Sequence, residues 1–491
     1  MATSATNSTD VMLVESPQTV YGSTIEVTNT KSLEEVYSII GVGKAQYIYW
    51  TILAVICYFE TAELAAIATI VPLLRCEWDL DVMWETLINV SVYFFSALGG
   101  CVFASLPDIY GRKKVLSIIL ILLLLSAGGS AISQTKSQFL ASRCVVGLTM
   151  GLIFPTCITY SAEIVKSSHR ETGPMLIVGF ADMSLFLSTA LAYLILNPLG
   201  WRWYIFVNVF PLVICIVLLM WLLPESPRYL AVSEKTDQAN EAVQRMAKLN
   251  GVTLPEHLDI TVHTDQEQGS ILDLLKSDFI KETILMSAMY FFNLLILFGM
   301  IVFVPLAIFS GFCGGQSNPP VHECDDIQQE SLLQLSMVTF ASVLAAAVGY
   351  IAARKAGRSL SIKVFSTAGF IVSLFLFTCF SDMVTVVLLF LFKFLLTCHN
   401  TIALIIIPEL YPTVFRNTAV NFINSWGKLG GVIGTGIIYV LYYHSPLALV
   451  ATFSGSALIS AICAWIWNKE TKMAVLMDIR QLDDDLDKDD E

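Results

Sequence analysis

The stretch Tyr47–Pro72, YIYWTILAVICYFETAELAAIATIVP, is apolar apart from two glutamates, Glu60 and Glu63, and a few hydroxyl groups. A helix needs about 20 apolar residues to cross the hydrocarbon core of a bilayer, so this stretch is long enough to span a membrane. The polar, acidic segment before it lacks the pattern of a cleaved secretory leader. We therefore predict that Tyr47–Pro72 forms an uncleaved first membrane helix.

Comparable apolar runs continue along the chain, which has 491 residues, 55% of them hydrophobic and 14% charged. Soluble domains carry about 25% charged residues, so the composition favours a bilayer as the solvent. The runs are continuous rather than alternating, which excludes a membrane β-barrel. We predict an all-α membrane protein with about twelve spans, at 46–71, 85–107, 115–133, 139–160, 175–196, 203–223, 282–309, 332–352, 362–380, 384–408, 419–442 and 447–467.

The longest connection, 224–281, divides the spans into two groups of six. Within it, Ala239–Asn250 has helical spacing that places Ala242, Val243, Met246 and Leu249 on one side. Lys and Arg are concentrated in the tails and in the loops after even-numbered spans, which predicts cytosolic termini. The predicted domains are a cytosolic N-terminal region at 1–45, a six-helix bundle at 46–223, a cytosolic linker with amphipathic helices at 224–281, a second bundle at 282–467 and an acidic cytosolic tail at 468–491.

An internal repeat links the two groups. Three segments recur in register: Tyr110-Gly111-Arg112 as Ala356-Gly357-Arg358, Glu163 and Arg170 as Glu409 and Arg416, and Pro224-Glu225-Ser226 as Lys469-Glu470-Thr471. All follow even-numbered spans, so the pattern indicates a duplicated unit of six spans.

The repeated charges lie at the predicted cytosolic mouth between the two bundles. We interpret them as a gating network whose ion pairs change with conformation; the alternative is a set of static salt bridges and topology signals. The members are Asp108, Arg112, Glu163, Arg170, Glu225, Arg228, Arg358, Glu409, Arg416 and Glu470.

Several motifs carry a resemblance to a known family. They are Asp108-Ile109-Tyr110-Gly111-Arg112-Lys113, Arg143-x-x-x-Gly147-x-x-x-Gly151, Pro224-Glu225-Ser226-Pro227-Arg228, Pro408-Glu409-Leu410-Tyr411-Pro412-Thr413, Glu60-Thr61-Ala62-Glu63 with Cys76-Glu77-Trp78, and Gly200-Trp201-Arg202-Trp203. Together they resemble the major facilitator superfamily, in particular its branch of synaptic vesicle glycoprotein 2-related proteins and organic ion transporters. The resemblance implies the major facilitator fold and transport by alternating access. Two departures are Arg354, where the second-half signature usually has Asp, and Lys393, where this group commonly has Arg.

Ionisable groups inside membrane spans are costly and are functional candidates by default. Glu60 and Glu63 lie near the middle of the first span and, three residues apart, share a helix face. They are candidates for proton coupling or for binding a cationic substrate. The alternative is structural, with one glutamate paired to an Arg or Lys on a neighbouring span.

Other polar residues inside spans are weaker candidates. The resemblance implies that Arg143 acts in proton coupling or binds an anionic substrate; alternatively it is a partner for Glu60, Glu63 or Asp182. The remaining substrate-site candidates are Asp182, Lys393, His399, Asn293 and Asn424. The sugar-porter branch of the family has a Gln-rich signature in its seventh span, whereas Asn293 is the only amide in this one, so the resemblance does not favour a hexose substrate.

Cys313 and Cys324 share one polar loop, where they form either a disulfide or two free thiols. No CxxC pair indicates a metal or redox site, no phosphate-binding loop indicates direct use of ATP, and no basic face indicates nucleic-acid binding. No cofactor and no enzymatic activity are expected.

The favoured function is secondary active transport of a small organic ion, with proton coupling as an option. The alternative is a facilitator-fold receptor or vesicle trafficking protein that does not transport. The expected partners are the organic ion, the lipid bilayer and protons. We expect a monomer in a vesicle or plasma membrane.

Overall fold

A computed structural model describes residues 30–103, 105–166, 169–170, 172–255, 259–261, 279–310, 329–378, 381–411 and 413–469, with the side chains of 30–31, 259–261, 310 and 413–417 excepted. The first half contains α1 (Leu33–Ile40), α2 (Lys44–Trp78), α3 (Val82–Val102), α4 (Leu106–Tyr110), α5 (Arg112–Ala131), α6 (Lys136–Glu163), α7 (Thr172–Val209), α8 (Leu212–Leu222), α9 (Pro227–Val232) and α10 (Thr236–Asn250). The second half contains α11 (Ile280–Ser310), α12 (Gln329–Lys355), α13 (Arg358–Phe375), α14 (Asp382–Leu410), α15 (Thr413–His444) and α16 (Pro446–Ile466).

Ten helical segments in the described residues are long and apolar enough to cross a membrane. One of them, Thr172–Leu222, holds two spans, because Gly200 has a positive φ of 82° that breaks the helix inside α7. The long α15 is more polar but packs against α3 and α11 as a further span. The prediction of an all-α membrane protein of about twelve spans in two six-helix halves is thereby confirmed.

Packing repeats between the halves in the way a duplication requires. In the first half α2 packs on α7 and α3 packs on α6; in the second half α11 packs on α15 and α12 packs on α14. The halves meet along two further equivalent pairs, α3 with α15 and α7 with α12. The interface between the halves is therefore built from the same spans of each repeat.

Glycines set how closely some of these spans approach. A Cβ on Gly147 would lie 2.5 Å from the carbonyl oxygen of Val92, so α6 and α3 can meet only without a side chain there. On α15, the carbonyl oxygens of Phe291 and Leu295 occupy the space that side chains on Gly430 and Gly434 would need. Small residues permit this backbone contact between membrane helices.

Some details differ from the predictions. The first span continues to Trp78, where Asp79 adopts a left-handed φ of 47° that ends α2. The second span ends at Val102 rather than at 107, and the short α4 follows it. In α10, Ala242, Val243 and Met246 are buried as predicted, but Leu249 is 41% exposed.

The face of the protein that carries α1, α9, α10 and Lys469 is called the terminal face, and the other the opposite face. At the terminal face two short strands pair in parallel, β1 (Thr30–Ser32) and β2 (Asp259–Thr261), which the apolar pattern does not predict. Asn250, at the end of α10, accepts from the backbone N–H of Ala45 at 2.9 Å. The N-terminal segment and the linker are thus joined at the start of α2.

Candidate functional site

Glu60 lies in the middle of α2 and is 7% exposed. One carboxylate oxygen, Oε2, has no hydrogen-bond partner in the structure. The charge that acts on it is that of Lys428, which comes from the middle of α15 in the other half. A buried acid of one half therefore opposes a base of the other half across their interface.

A second pair also has its acid on the first half and its base on the second half. Asp182 on α7 and Lys393 on α14 interact through their charges across the interface between the halves. Lys393 is 2% exposed and borders a cavity of about 10 Å³ that also contacts Thr69, Thr189 and Thr339. Thr189 and Thr339 form a hydrogen bond of 2.8 Å between the halves.

Glu63 differs from Glu60 although both lie on α2. Arg143, which is fully buried on α6, donates from Nη1 to Glu63 Oε1 at 2.6 Å. Its other terminal nitrogen donates to Ser130, and its guanidinium stacks on Phe139 at 5.2 Å. In this conformation Arg143 is the partner of Glu63, which is the structural alternative among the sequence interpretations.

The remaining substrate-site candidates lie on the second half. Asn293 donates to Asn400 at 3.4 Å, and its carbonyl oxygen is buried without a partner. His399 is 1% exposed, and its Nε2 likewise has no partner. Asn424 is partly buried on α15. The structure thus places unsatisfied polar atoms from α11 and α14 in the interior of the second half.

At the terminal face of the first half, Arg112 holds three elements together. Its guanidinium donates to Asp108 at 2.7 Å and to Glu163 at 2.9 Å, and it stacks on Tyr229 at 5.1 Å. Glu225 instead accepts from the backbone N–H of Lys113 at 2.9 Å. The residue before Arg112 must be glycine, because Gly111 has a φ of 103° and a Cβ there would lie 2.5 Å from a carboxylate oxygen of Glu225.

The second half repeats the arrangement. Arg358 makes a two-pronged pair with Glu409, at 2.7 Å and 3.1 Å, and Gly357 before it has a φ of 95°. Arg354 stands where the usual signature has an acid, and it donates to Tyr350 at 3.2 Å. The ion pairs that Arg112, Arg170, Arg358 and Lys469 form at the terminal face each join residues of one half.

Other members of the predicted gating network have different surroundings. Arg170 bonds to Glu34 of α1 at 2.6 Å rather than to Glu163, and Arg228 is exposed with its charge acting on Glu163. Tyr37 of α1 is buried, which raises the pKa of its hydroxyl, and it donates to the Glu163 carbonyl at 2.7 Å. The Arg416 side chain and Glu470 lie outside the described residues.

At the opposite face a polar cluster joins the two halves. Arg75, at the end of α2, donates to the Tyr443 hydroxyl of α15 at 2.6 Å and lies 3.5 Å from Glu85 of α3. Tyr443 in turn donates to Glu85 at 3.2 Å. Nearby, Asn89 donates to Tyr439 at 3.1 Å. We call these five residues the opposite-face cluster.

We expect Tyr443→Phe to loosen the opposite face. The change keeps the ring but removes two hydrogen bonds to charged groups, each of which contributes about 1.5–3 kcal/mol. Hydrogen exchange at the ends of α2, α3 and α15 should therefore accelerate by roughly tenfold or more, since about 1.4 kcal/mol is a factor of ten. Tyr47→Phe, at the terminal face, is the matched control. Unchanged exchange in Tyr443→Phe would show that the cluster does not hold this face closed.

Cys76 is disulfide-bonded, and its bond partner lies outside the described residues. Seven other described cysteines are free: Cys57, Cys101, Cys144, Cys157, Cys215, Cys398 and Cys463. The predicted pair of Cys313 and Cys324 lies outside the described residues. The sequence interpretation had not considered Cys76 as a disulfide partner.

Sequence reasoning also missed Lys428 and the opposite-face cluster. The signal for Lys428 was present, because a lysine inside a span is costly and therefore functional by default. Arg75 and Glu85 looked like ordinary loop-end charges. Only the packing of α15 on α3 shows that they reach the other half.

Two six-span bundles of equivalent packing, with opposed charges at their interface, define a multi-pass membrane protein of the duplicated transporter type. The sequence model of the Major Facilitator Superfamily matches residues 53–435. The chain belongs to this superfamily.

Curated relatives are similar over most of the chain. The synaptic vesicle 2-related protein of Pongo abelii is 26% identical over 452 residues, which cover 90% of this chain and 82% of the relative. The organic cation/carnitine transporter 7 of Arabidopsis thaliana is 24% identical, covering 92% and 97%. The putative transporter SVOPL of Homo sapiens is 24% identical, covering 93% and 95%.

Solved structures agree on the fold. The proton:xylose symporter XylE bound to 6-bromo-6-deoxy-D-glucose has a TM-score of 0.67 at 16% identity, covering 88% of this chain and 97% of that one. An inward-open conformation of the xylose transporter XylE from E. coli has a TM-score of 0.65 at 16% identity, covering 89% and 99%.

Proposed function

We propose that this protein is a secondary active transporter of a small organic ion, that it works by alternating access, and that Glu60 carries a proton or binds the cationic group of the solute. The observation that carries the proposal is the buried Glu60 with an unbonded oxygen, opposed by Lys428 of the other half. A carboxylate at this depth persists where it pairs or serves an ion pathway. Its position between the halves is where a transported solute is bound.

The contacts at the two faces support a protein that opens one face at a time. The opposite-face cluster bonds the halves to one another, whereas the described ion pairs of the terminal face stay within each half. We propose that the terminal-face residues, Arg112 and Arg358 with their carboxylates, exchange partners when the terminal face closes. Asp108, Glu225, Arg228, Arg416 and Glu470 belong to the same proposed network.

The distribution of basic residues supports an orientation of the protein in the membrane. Basic residues are concentrated at the terminal face, so we propose that this face and both termini are cytosolic. Similarity to synaptic vesicle 2-related proteins supports a vesicle membrane, and the plasma membrane is the other candidate. The similarity to an organic cation/carnitine transporter supports an organic ion as the solute.

The experiment uses purified full-length protein reconstituted into liposomes that enclose a pH-sensitive dye. Organic cations, organic acids and neutral sugars are added in turn, with and without an imposed pH gradient. We expect at least one charged solute to move protons and to accumulate against its gradient. A folded protein that neither binds nor moves any solute would contradict the proposal.

One observation favours the alternative, a receptor or trafficking protein. Arg354 replaces the acidic residue of the usual signature, and its guanidinium contacts Tyr350 of the same helix. The second-half gate is therefore altered in charge, which would be tolerated in a protein that no longer cycles. Absence of solute binding together with specific capture of vesicle proteins would support this function.

A further inference from the structure

A cavity of about 220 Å³ lies at the terminal face, between α1, the start of α2 and the residues that follow α6. Its inner wall consists of Tyr37, Val42, Gln46, Ile164 and Val165, all of them buried or half-buried. One water needs about 10–15 Å³, and pockets for drug-sized ligands measure about 300–1,000 Å³. The cavity therefore fits a compact chemical group rather than a whole organic molecule.

The rim of the cavity carries two bases and a hydroxyl group. Lys166, His169 and Ser38 border it, and all three side chains are exposed. The backbone N–H of His169 donates to the Lys166 carbonyl at 2.9 Å, which closes a turn after α6 and brings both bases to the same rim. Lys166 forms no ion pair with any residue in the described part of the chain, so its ammonium group is available to a ligand.

Gln46 supplies a further donor from inside the cavity. It is 1% exposed, and its Oε1 accepts from the backbone N–H of Gly43 at 3.0 Å and from Asn250 at 2.9 Å. Its amide nitrogen donates to none of the residues that the structure describes. A buried donor without an acceptor is costly, so an acceptor atom bound in the cavity would satisfy this amide.

No carboxylate is among the described residues that line the cavity. The acids of the surrounding helices already have partners: Glu34 pairs with Arg170 at 2.6 Å, and Glu163 pairs with Arg112 at 2.9 Å. Glu35 accepts from the backbone at the start of α1, at the other end of that helix. The lining therefore offers hydrogen-bond donors and positive charge, which is the chemistry of a site for an anionic group.

The cavity lies beside side chains that face the bilayer. Ile39 and Tyr47, the neighbours of Ser38 and Gln46 in the sequence, are 43% and 57% exposed, and Ile48 is also exposed. A tyrosine exposed at the end of a membrane helix is typical of the headgroup level of the bilayer. Basic pockets at the cytosolic ends of membrane helices bind phosphorylated lipid headgroups, and the terminal face is the one proposed to be cytosolic.

We infer that this cavity binds a phosphate monoester carried by the headgroup of an anionic lipid. Such a group has a charge of about −1.5 to −2 at neutral pH and three acceptor oxygens. Lys166 and His169 compensate this charge, while Gln46 and Ser38 donate to its oxygens. The bound headgroup joins α1 to the start of α2 and to the end of α6. The inference goes beyond the proposed transport function and shares with it only the cytosolic orientation of the terminal face.

The test measures binding of a fluorescent short-chain phosphatidylinositol bisphosphate to purified full-length protein in neutral detergent, by fluorescence anisotropy. The competitors are the unlabelled lipid, short-chain phosphatidylinositol, which has no phosphate monoester, and soluble inositol trisphosphate, which has no acyl chains. The variants are Lys166→Gln and His169→Gln, whose side chains are exposed and therefore not needed for packing. Lys114→Gln is the matched control, since Lys114 is an exposed lysine of the terminal face that does not line the cavity.

We expect phosphatidylinositol bisphosphate to bind the wild type roughly tenfold or more tightly than phosphatidylinositol, because a hydrogen bond to a charged group contributes about a factor of ten or more. Lys166→Gln should weaken its binding by roughly tenfold, His169→Gln should weaken it several-fold, and Lys114→Gln should leave it unchanged. The bound lipid should also slow hydrogen exchange in α1 of the wild type but not in α1 of Lys166→Gln.

Equal binding of phosphatidylinositol would overturn the assignment to a phosphate monoester. If soluble inositol trisphosphate binds as tightly as the lipid and depends equally on Lys166, the site takes a soluble phosphate compound and the lipid is the wrong source. If Lys114→Gln weakens binding as much as Lys166→Gln does, the lipid is attracted by the general charge of this face. Full binding in both Lys166→Gln and His169→Gln, or lipid protection that leaves α1 unaffected, would show that the cavity is not the site.

Discussion

Glu63→Gln should lower the unfolding free energy by about 3–5 kcal/mol, because it leaves the guanidinium of Arg143 buried without its counter-charge. Arg143 has no exposed surface, and its other bond goes to a neutral hydroxyl, Ser130. The membrane interior offers no water to replace the lost carboxylate. The measurement is the unfolding midpoint in a denaturing-detergent titration of the purified protein, followed by circular dichroism.

A double variant distinguishes the loss of the Glu63–Arg143 ion pair from any other effect of changing residue 63. Glu63→Gln with Arg143→Met removes both charges and should recover part of the lost stability, whereas Arg143→Met alone should not. Glu330→Gln, at the exposed start of α12, is the matched control and should change little. If Glu63→Gln is as stable as the wild type, Glu63 is not the ionised partner of Arg143, and it returns to the list of coupling candidates with Glu60.

Glu60→Gln should abolish gradient-driven accumulation while leaving solute exchange in place. If one proton accompanies each solute, a pH difference of one unit supports about tenfold accumulation, since about 1.4 kcal/mol is a factor of ten. The amide cannot carry that proton, so the accumulation ratio should fall to about one under the same gradient. Counterflow, in which the solute exchanges without net proton movement, should persist. Both are measured as uptake into proteoliposomes, with Glu330→Gln as the control.

Accumulation in Glu60→Gln is compared with accumulation in Asp182→Asn, because Asp182 is the other carboxylate that faces a lysine. If accumulation survives in Glu60→Gln and is lost in Asp182→Asn, the coupling group is on α7 rather than on α2. If both variants accumulate solute as the wild type does, neither carboxylate carries the proton.

Much of the fold followed from local sequence features. Continuous apolar runs predicted the spans, and the recurrence of Gly111-Arg112 as Gly357-Arg358 predicted the two halves. These features are local because each span must satisfy its backbone within itself. The positive φ of both glycines shows why the motif tolerates no other residue there.

The functional site was less predictable, because its contacts join distant parts of the chain. Glu60 and Glu63 share a helix face and look equivalent in the sequence, yet one bonds to Arg143 and the other faces Lys428. Which neighbour each meets depends on how α6 and α15 pack around α2. The bond from Arg75 to Tyr443 is of the same kind, since nothing near Arg75 in the sequence indicates a partner in the other half.

The central claim is that the two halves open one face at a time, and it can be tested without knowing the solute. Spin labels on Asp79 and His444 report the opposite face, and labels on Tyr110 and Lys355 report the terminal face; all four positions are exposed. The measurement is the distance distribution of each pair in wild-type protein and in Tyr443→Phe. We expect two populations at each face, with Tyr443→Phe lengthening Asp79 to His444 and shortening Tyr110 to Lys355. A single unchanged distance at both faces in both proteins would contradict alternating access.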